Sequence, residues 1–210
     1  MKGILDLLKR RMAPPPSEES PDSVMFTTAF ADIGVEGSVL IPWAARAHEI
    51  NAKRLSASRG LDLMHGIWDS DRHMSRLDTV SVARLARFFD FATVPADREI
   101  IGQNEHGDFM VVLLSGSIAV DRDQPWGESL RLTEAQPGDI LGEMSLLDSG
   151  QRFSKCTSLN ECQIAVLAAK ELDEMMKTDP VLAANLIALL ARKLSARLRV
   201  VSARLSDVRT

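Results

Sequence analysis

The sequence predicts an α+β fold: an eight-stranded jelly-roll β-barrel with flanking helices, a long C-terminal helix and a helical N-terminal extension. Two observations support this prediction. Residues 91–167 are short apolar runs separated by turn residues such as Pro125, Gly127 and Pro137-Gly138, which is typical of consecutive strands. On both sides of this stretch, apolar residues recur every three or four positions, which is the helical period.

The first third of the chain is predicted to be an extension in two parts. Residues 1–23 combine a short amphipathic segment with a proline-rich linker. Residues 24–73 are expected to be mainly helical. One helix would begin near Pro42 and end at Gly60, because proline suits a first helical turn and glycine suits the position after the last. A second short helix is expected over residues 61–68.

Residues 74–210 are predicted to form one domain that contains the barrel. Asp78 is a good N-cap for its first helix, because a carboxylate accepts hydrogen bonds from the free N–H groups there. After the barrel we expect a short helix over residues 170–177 and then a long helix that begins at Pro180.

Composition excludes several classes of protein. The 45% hydrophobic content, 26% charge and net charge of −4 describe an ordinary soluble chain with no overall attraction to nucleic acid. No apolar run is long enough to span a membrane, so we expect a cytoplasmic protein without a transmembrane segment. Cys156 and Cys162 are interpreted as reduced thiols in a β-hairpin, with a disulfide across it as the less favoured alternative.

The most informative spacing is that of Gly142-Glu143 and Arg152, because it places a carboxylate and a guanidinium at the two ends of one short helix. A carboxylate accepts hydrogen bonds from hydroxyl groups, and a guanidinium binds phosphate with paired N–H groups. The glycine lets the backbone approach a ligand closely. A ligand with hydroxyls and a phosphate a few ångströms apart is a nucleotide.

With this spacing the sequence resembles the cyclic-nucleotide-binding family, over residues 74–199. Gln103–Asp108 aligns with the family's Glu-Gly-Asp-x-Gly-Asp turn, and Asn104, in the place of a glycine, can adopt the same left-handed backbone. Residues 109–116 are similar to the family's strand that ends in Ser-Gly, and residues 136–143 are similar to its Gly-Asp-x-x-Gly-Glu motif.

The resemblance implies a ligand site with no catalytic residue and no metal. In that family the Gly and Glu meet the ribose and the Arg meets the cyclic phosphate, so Glu143 would accept from a ribose hydroxyl and Arg152 would neutralise the phosphate. Phe153 departs from the family, which usually has Ala, Ser or Thr there. The full expected site is Gly142, Glu143, Met144, Ser145, Arg152, Phe153, Ser154, Arg197 and Leu198.

Base choice follows from the register of the long helix. The long helix can be aligned with that of the catabolite activator protein family through Asp179-Pro180 and Ala191–Leu194. In this alignment Arg197 and Leu198 occupy the positions at which the family presents a Thr-Ser pair to adenine. The family default is cAMP, which is our first choice, with cGMP second because Arg197 can donate to guanine or stack on either purine. A cyclic dinucleotide is left open.

The long helix also predicts a homodimer. Its apolar residues step by threes and fours along one seam that continues past the point where a single domain could cover it. The alternative is a helix packed on its own barrel, and the basic residues beside the seam are expected to be solvated. The seam consists of Ala183, Ile187, Leu190, Leu194, Leu198, Val201, Leu205 and Val208.

We expect a receptor rather than an enzyme. The four histidines are scattered without a His-x-His pair, and neither Gly-x-Ser-x-Gly nor a Walker loop occurs. The predicted function is a cytosolic cyclic-nucleotide receptor that signals to an unknown effector protein. One alternative is a degenerate barrel acting as a ligand-independent scaffold, which Phe153 supports. Another is a transcription regulator without its own DNA-binding domain, since only about a dozen residues follow Leu198.

Overall fold

The computed structural model of the protein describes residues 26–27, 30, 40–70 and 78–207. The amphipathic segment and the linker predicted within residues 1–23 lie outside these described residues, as does Val208 at the end of the predicted seam. No helix among the described residues is long and apolar enough to cross a membrane.

The secondary structure follows the order extension, β-sheets and C-terminal helices. The helices are α1 (Trp43–Glu49), α2 (Ala57–Ser70), α3 (Thr79–Leu85) followed by a 3₁₀ turn (Ala86–Phe88), α4 (Glu143–Asp148), α5 (Ala169–Thr178) and α6 (Pro180–Asp207). The strands are β1 (Lys53–Arg54), β2 (Asp90–Val94), β3 (Glu99–Ile101), β4 (Phe109–Ser115), β5 (Ile118–Asp123), β6 (Ser129–Ala135), β7 (Ile140–Leu141), β8 (Lys155–Ser158) and β9 (Cys162–Ala168).

The described strands form two antiparallel sheets. One sheet has the order β1-β2-β9-β4-β7 and the other the order β3-β8-β5-β6. The α+β class is therefore confirmed, but the closed eight-stranded barrel is not, because the described residues form nine strands in two separate sheets. The additional strand, β1, comes from the extension, where Lys53 pairs with Thr93 of β2.

Strand β4 lies at the centre of the core and is buried on both faces. Side chains of a strand alternate between its two faces, and here Val111 and Leu113 belong to the cluster between the two sheets. Met110 and Val112 belong to a second cluster, in which the five-stranded sheet packs against α2, α3, α5 and α6. The sequence of β4 is continuously apolar because both faces of the strand are covered.

The helix predicted between Pro42 and Gly60 begins where expected, at Trp43, but its predicted end at Gly60 is wrong. Helix α1 ends at Glu49, and Asn51 then takes a left-handed backbone with φ of 55°. Gly60 lies inside α2, where an added Cβ would come within 2.3 Å of the Phe91 ring. This glycine therefore allows a helix to pack closely on a strand, rather than ending a helix.

The helices after the extension lie where the sequence predicts them. Asp78 caps α3, and its Oδ1 accepts a hydrogen bond from the Ser81 amide at 2.7 Å. Helix α5 covers the short helix predicted over residues 170–177, and α6 begins at Pro180 as predicted. Only the first half of α6 buries its apolar side chains: Leu190 is buried, whereas Leu198 and Val201 are exposed.

The two cysteines are free thiols, but they do not share a hairpin. Cys156 lies on β8 in the four-stranded sheet and Cys162 on β9 in the five-stranded sheet. The connection between these strands crosses from one sheet to the other, so the two residues are not cross-strand neighbours. Burial raises the pKa of the Cys156 thiol to about 12, which keeps it protonated and unreactive.

Candidate functional site

A short helix, α4, connects β7 to the segment that leads into β8 and carries the predicted site. Gly142 precedes it with φ of 76°, a left-handed conformation that side chains disfavour. Glu143 is the first residue of the helix and is buried. Ser149, which ends the helix, is also left-handed, and the chain then returns towards Arg152.

Arg152 is 3% exposed, and the backbone encloses its guanidinium. Nη1 donates to the Gly142 carbonyl at 2.7 Å, and Nη2 donates to the Phe109 carbonyl at 2.6 Å. Added Cβ atoms at Gly142 and Gly107 would each come within 2.6 Å of these nitrogens. The two glycines therefore create the space that the guanidinium occupies.

In the part of the chain that the structure describes, the groups that bind the Arg152 guanidinium are uncharged. Among the described residues, no carboxylate forms an ion pair with it, and its hydrogen-bond acceptors are neutral carbonyls. Burial lowers the pKa of Arg152 to about 10, which still leaves the group charged at neutral pH. Since a buried charge without a counterion is costly, this position favours the binding of an anion.

Glu143 is paired with the C-terminal helix. Arg197 Nη1 donates to its Oε1, and Arg197 Nη2 donates to the Ile140 carbonyl at 2.6 Å. Burial raises the pKa of Glu143, and the nearby charge of Arg197 opposes that rise. The acceptor predicted for a ribose hydroxyl is thus occupied by an arginine from α6.

The turn at residues 103–108 frames the other side of Arg152. Asn104 has φ of 65°, which confirms the left-handed backbone predicted for it. Its amide donates to the Arg152 carbonyl at 2.9 Å, and the Arg152 amide donates to the Glu105 carbonyl at 2.8 Å. These two bonds fix the main chain of Arg152 to the turn, so the turn and α4 hold the arginine from opposite sides.

The structure brings four of the nine predicted site residues into contact, namely Gly142, Glu143, Arg152 and Arg197. The others differ in exposure: Ser145 is buried, Ser154 is partly buried, and Met144, Phe153 and Leu198 are exposed. The Phe153 ring lies against the Arg122 guanidinium, 4.0 Å from Cζ to the ring centroid. No group of three potential metal-ligating side chains occurs among the described residues.

Several residues that support the site were not predicted. Phe109 and Gly107 lie next to the Arg152 guanidinium. In α1, Trp43 packs against Phe109 and Arg46 pairs with Glu105. Gly107 had a signal in the sequence, since a glycine between polar turn residues often marks a close approach. The two α1 residues had none, because they are about 60 residues away from their partners.

Comparison with known proteins agrees with this geometry. Residues 91–179 match the family described as the cyclic nucleotide-binding domain. The cyclic AMP receptor protein of Thermus thermophilus is 30% identical over 107 residues, which are 51% of this chain and 50% of that protein. A CRP-like cAMP-activated global transcriptional regulator of Mycobacterium tuberculosis is 27% identical over 114 residues, 54% of this chain and 51% of that protein.

Solved structures show the same fold. A cyclic nucleotide-binding domain from Methylobacillus flagellatus superposes with a TM-score of 0.66 at 22% identity, covering 73% of this chain and 86% of that one. The present chain spans about half the length of the curated relatives that it matches. Residues 91–179 of this protein therefore match the cyclic nucleotide-binding domain family, and the described residues share the fold of a solved domain of that kind.

Proposed function

We propose that the protein is a cytoplasmic, non-enzymatic receptor for cyclic nucleotides, with cAMP as the first candidate and cGMP as the second, and that it signals to a partner protein. The observation that carries the proposal is the buried guanidinium of Arg152, which has no carboxylate partner among the described residues. A cyclic phosphate supplies one negative charge and two acceptor oxygens, which match the paired N–H groups of a guanidinium.

The remaining polar groups fit the rest of such a ligand. Glu143 is a buried acceptor near Arg152, and its charge acts on the arginine. It can accept a ribose hydroxyl once Arg197 moves away from it. Binding would therefore exchange an internal ion pair for a contact with the ligand. The freed Arg197 would then be available to the base, as the register of α6 predicts.

Calorimetry on the purified chain tests the proposal. We expect saturable binding of cAMP and cGMP, and clearly weaker binding of 5′-AMP, which has the same base but an open, doubly charged phosphate. Cyclic di-GMP serves as the third ligand. Heat of binding with cyclic di-GMP alone would redirect the ligand assignment, and no binding of any cyclic nucleotide would reject the receptor function.

A ligand-independent scaffold is the second candidate, and one observation favours it. Arg152 already donates to two carbonyls, and Glu143 is already paired with Arg197. A site whose polar groups satisfy one another can be stable without a ligand. The scaffold predicts no heat of binding and no shift in thermal unfolding with millimolar cAMP, whereas a receptor must be stabilised by its ligand.

Two aspects of signalling are part of the proposal. A homodimer through α6 is supported by the exposed apolar side chains of Leu198 and Val201. The effector is unknown, and the extension would transmit the signal to it. Two curated relatives are named as a receptor and a transcriptional regulator. A regulatory role in transcription is therefore a further alternative, which promoter-binding assays with the ligand-loaded protein would test.

A further inference from the structure

We propose that helix α1 is part of the binding site, with Trp43 and Arg46 as positioning residues that hold Arg152 in its binding geometry. The proposal rests on the receptor function proposed above. It is carried by three contacts between residues 41–46 and the segment 105–109, the same segment that surrounds Gly107 beneath the guanidinium.

The first contact is aromatic. Trp43 is buried against Phe109, with ring centroids 5.6 Å apart and an interplanar angle of 61°, an edge-to-face arrangement. Phe109 also contacts Arg152, whose Cζ lies 4.8 Å from the ring centroid. The carbonyl of Phe109 also accepts from Arg152. Phe109 therefore links the position of Trp43 to that of the Arg152 guanidinium.

The second contact is ionic. Arg46 is buried and donates to Glu49 at 3.0 Å and, through Nη2, to the Glu105 carboxylate. That carboxylate also accepts from the Gly102 amide at 3.1 Å, while the carbonyl of Glu105 accepts from the Arg152 amide. Arg46 is thus paired with Glu105, the residue of the turn whose carbonyl holds the main chain of Arg152.

The third contact is made by the main chain. The Ile41 amide donates to the His106 carbonyl at 2.8 Å, and Leu40 forms an isolated bridge with the same residue. His106 is the immediate neighbour of Gly107, the residue that allows Arg152 its space. Together the three contacts tie α1 to the turn and to β4, the two segments on this side of the arginine.

Placement of a binding group within a fraction of an ångström depends on the residues that support it. If α1 supplies that support, its docking and ligand binding favour each other, since coupling between two sites is reciprocal. A partner that pulls the extension off the domain would weaken nucleotide binding, and the nucleotide would in turn hold α1 in place. This gives the extension a defined route for transmitting the signal.

Substitutions on α1 test the proposal by calorimetry with cAMP. Arg46→Met keeps the volume but removes the ion pair, and we expect affinity to fall about 2- to 30-fold, the range of mutations that act through coupled contacts. Arg46→Lys should recover part of the loss. Trp43→Leu should weaken binding similarly, and Trp43→Phe should restore much of it because it keeps an aromatic edge towards Phe109.

The matched control is Ile50→Ala, which removes buried apolar volume just after α1, from the same core cluster as Trp43. The Ile50 amide donates to the Arg46 carbonyl at 3.0 Å, and among the described residues no hydrogen bond joins Ile50 to the turn. We expect a comparable fall in thermal stability with less than about a twofold change in affinity. An equal loss of affinity in Ile50→Ala and Arg46→Met would overturn the positioning role.

A ligand-free measurement separates this proposal from the receptor function. Amide hydrogen exchange of Asn104 and Arg152, whose amides form the bonds between the turn and Arg152, should accelerate in Arg46→Met but not in Ile50→Ala. If wild type binds no cyclic nucleotide, the receptor function fails, yet this exchange still reports whether α1 supports Arg152. Unchanged exchange in Arg46→Met would reject the inference.

Discussion

The two arginines of the candidate site, Arg152 and Arg197, are held in very different ways. Arg152 is 3% exposed, lies between two glycines and donates to the main chain of β4 and of the residue before α4. The side chain of Arg197 is 47% exposed, and it reaches Glu143 from α6 just beyond the buried part of that helix. The first position is built by the sheets, whereas the second depends on how a helix docks.

This difference indicates which part of the site is fixed and which part can move. Segments with few buried apolar contacts open at lower free energy than the core does. Helix α6 is buried up to Leu190 and exposed at Leu198 and Val201. A ligand that displaces Arg197 from Glu143 would therefore act on the weakly packed half of α6, while Arg152 keeps its place.

Replacing Arg152 should have the largest effect. In Arg152→Ala the phosphate loses its charged partner, which costs about 2–5 kcal/mol, or roughly 30-fold to several-thousand-fold in affinity. The carbonyls of Phe109 and Gly142 also lose their donor, so we expect a loss of stability of about 1–3 kcal/mol. Calorimetry and thermal unfolding measure the two effects, with Arg152→Lys as the charge-preserving control. Unchanged cAMP affinity would contradict the fixed anion site.

Disrupting the exposed half of α6 should have the second-largest effect, on assembly. The double variant L198E/V201E would bury charges in a helix-paired interface and weaken a dimer by more than about 30-fold. Light scattering at micromolar concentration measures this change. Val181→Glu is the control, because Val181 is also exposed on α6 but lies off the seam. A wild-type protein that is monomeric at that concentration would contradict the predicted dimer.

Lowering the pH should weaken binding through Glu143. Burial raises the pKa of this carboxyl, so on acidification it takes up a proton at a higher pH than an exposed glutamate does. Loss of the charged acceptor weakens a hydrogen bond worth about 1.5–3 kcal/mol, or roughly 10- to 100-fold at full protonation. Glu143→Gln should bind more weakly at neutral pH and lose this pH dependence. Calorimetry at a series of pH values measures the affinity at neutral pH and its pH dependence. An equally steep pH dependence in Glu143→Gln would show that another group causes it.

The same group has the opposite effect on folding. Because the folded pKa of Glu143 lies above the unfolded value, the stability it contributes is fully present below the unfolded pKa and is lost as the pH rises through the folded pKa. Denaturant unfolding of wild type and Glu143→Gln over the same pH range separates this contribution from the effect on binding.

Replacing Arg197 should have the smallest effect. A half-exposed ion pair contributes at most about 1 kcal/mol, or about fivefold in affinity, because solvent screens it. Arg197→Ala would remove the proposed contact to the base but would also free Glu143, so we expect a small net change that disfavours cGMP more than cAMP. Arg199→Ala is the control on the same helix, where Arg199 is exposed. Equal small losses for both nucleotides would indicate stacking alone, and no loss would place Arg197 outside the ligand site.

The sequence alone predicted the features that depend on near neighbours. The cap at Asp78, the left-handed turn at Asn104 and the start of α6 at Pro180 each follow from one residue type and its local backbone. The ten-residue spacing of Gly142 and Arg152 likewise predicted a short helix between a carboxylate and a guanidinium. These predictions succeeded because capping, backbone conformation and helical period act over a few residues.

Only the tertiary structure decided how distant segments meet. Arg197 pairs with Glu143 across 54 positions, and Arg46 pairs with Glu105 across 59. Gly60 suggested a helix end, yet its role depends on Phe91 of a strand that packs on it. Such contacts follow from the packing of sheets and helices around a shared core, and no periodicity within one segment records them. The contacts of α1 with Phe109 and Glu105, and the pairing of Glu143 with Arg197 of α6, are therefore visible only in the folded chain.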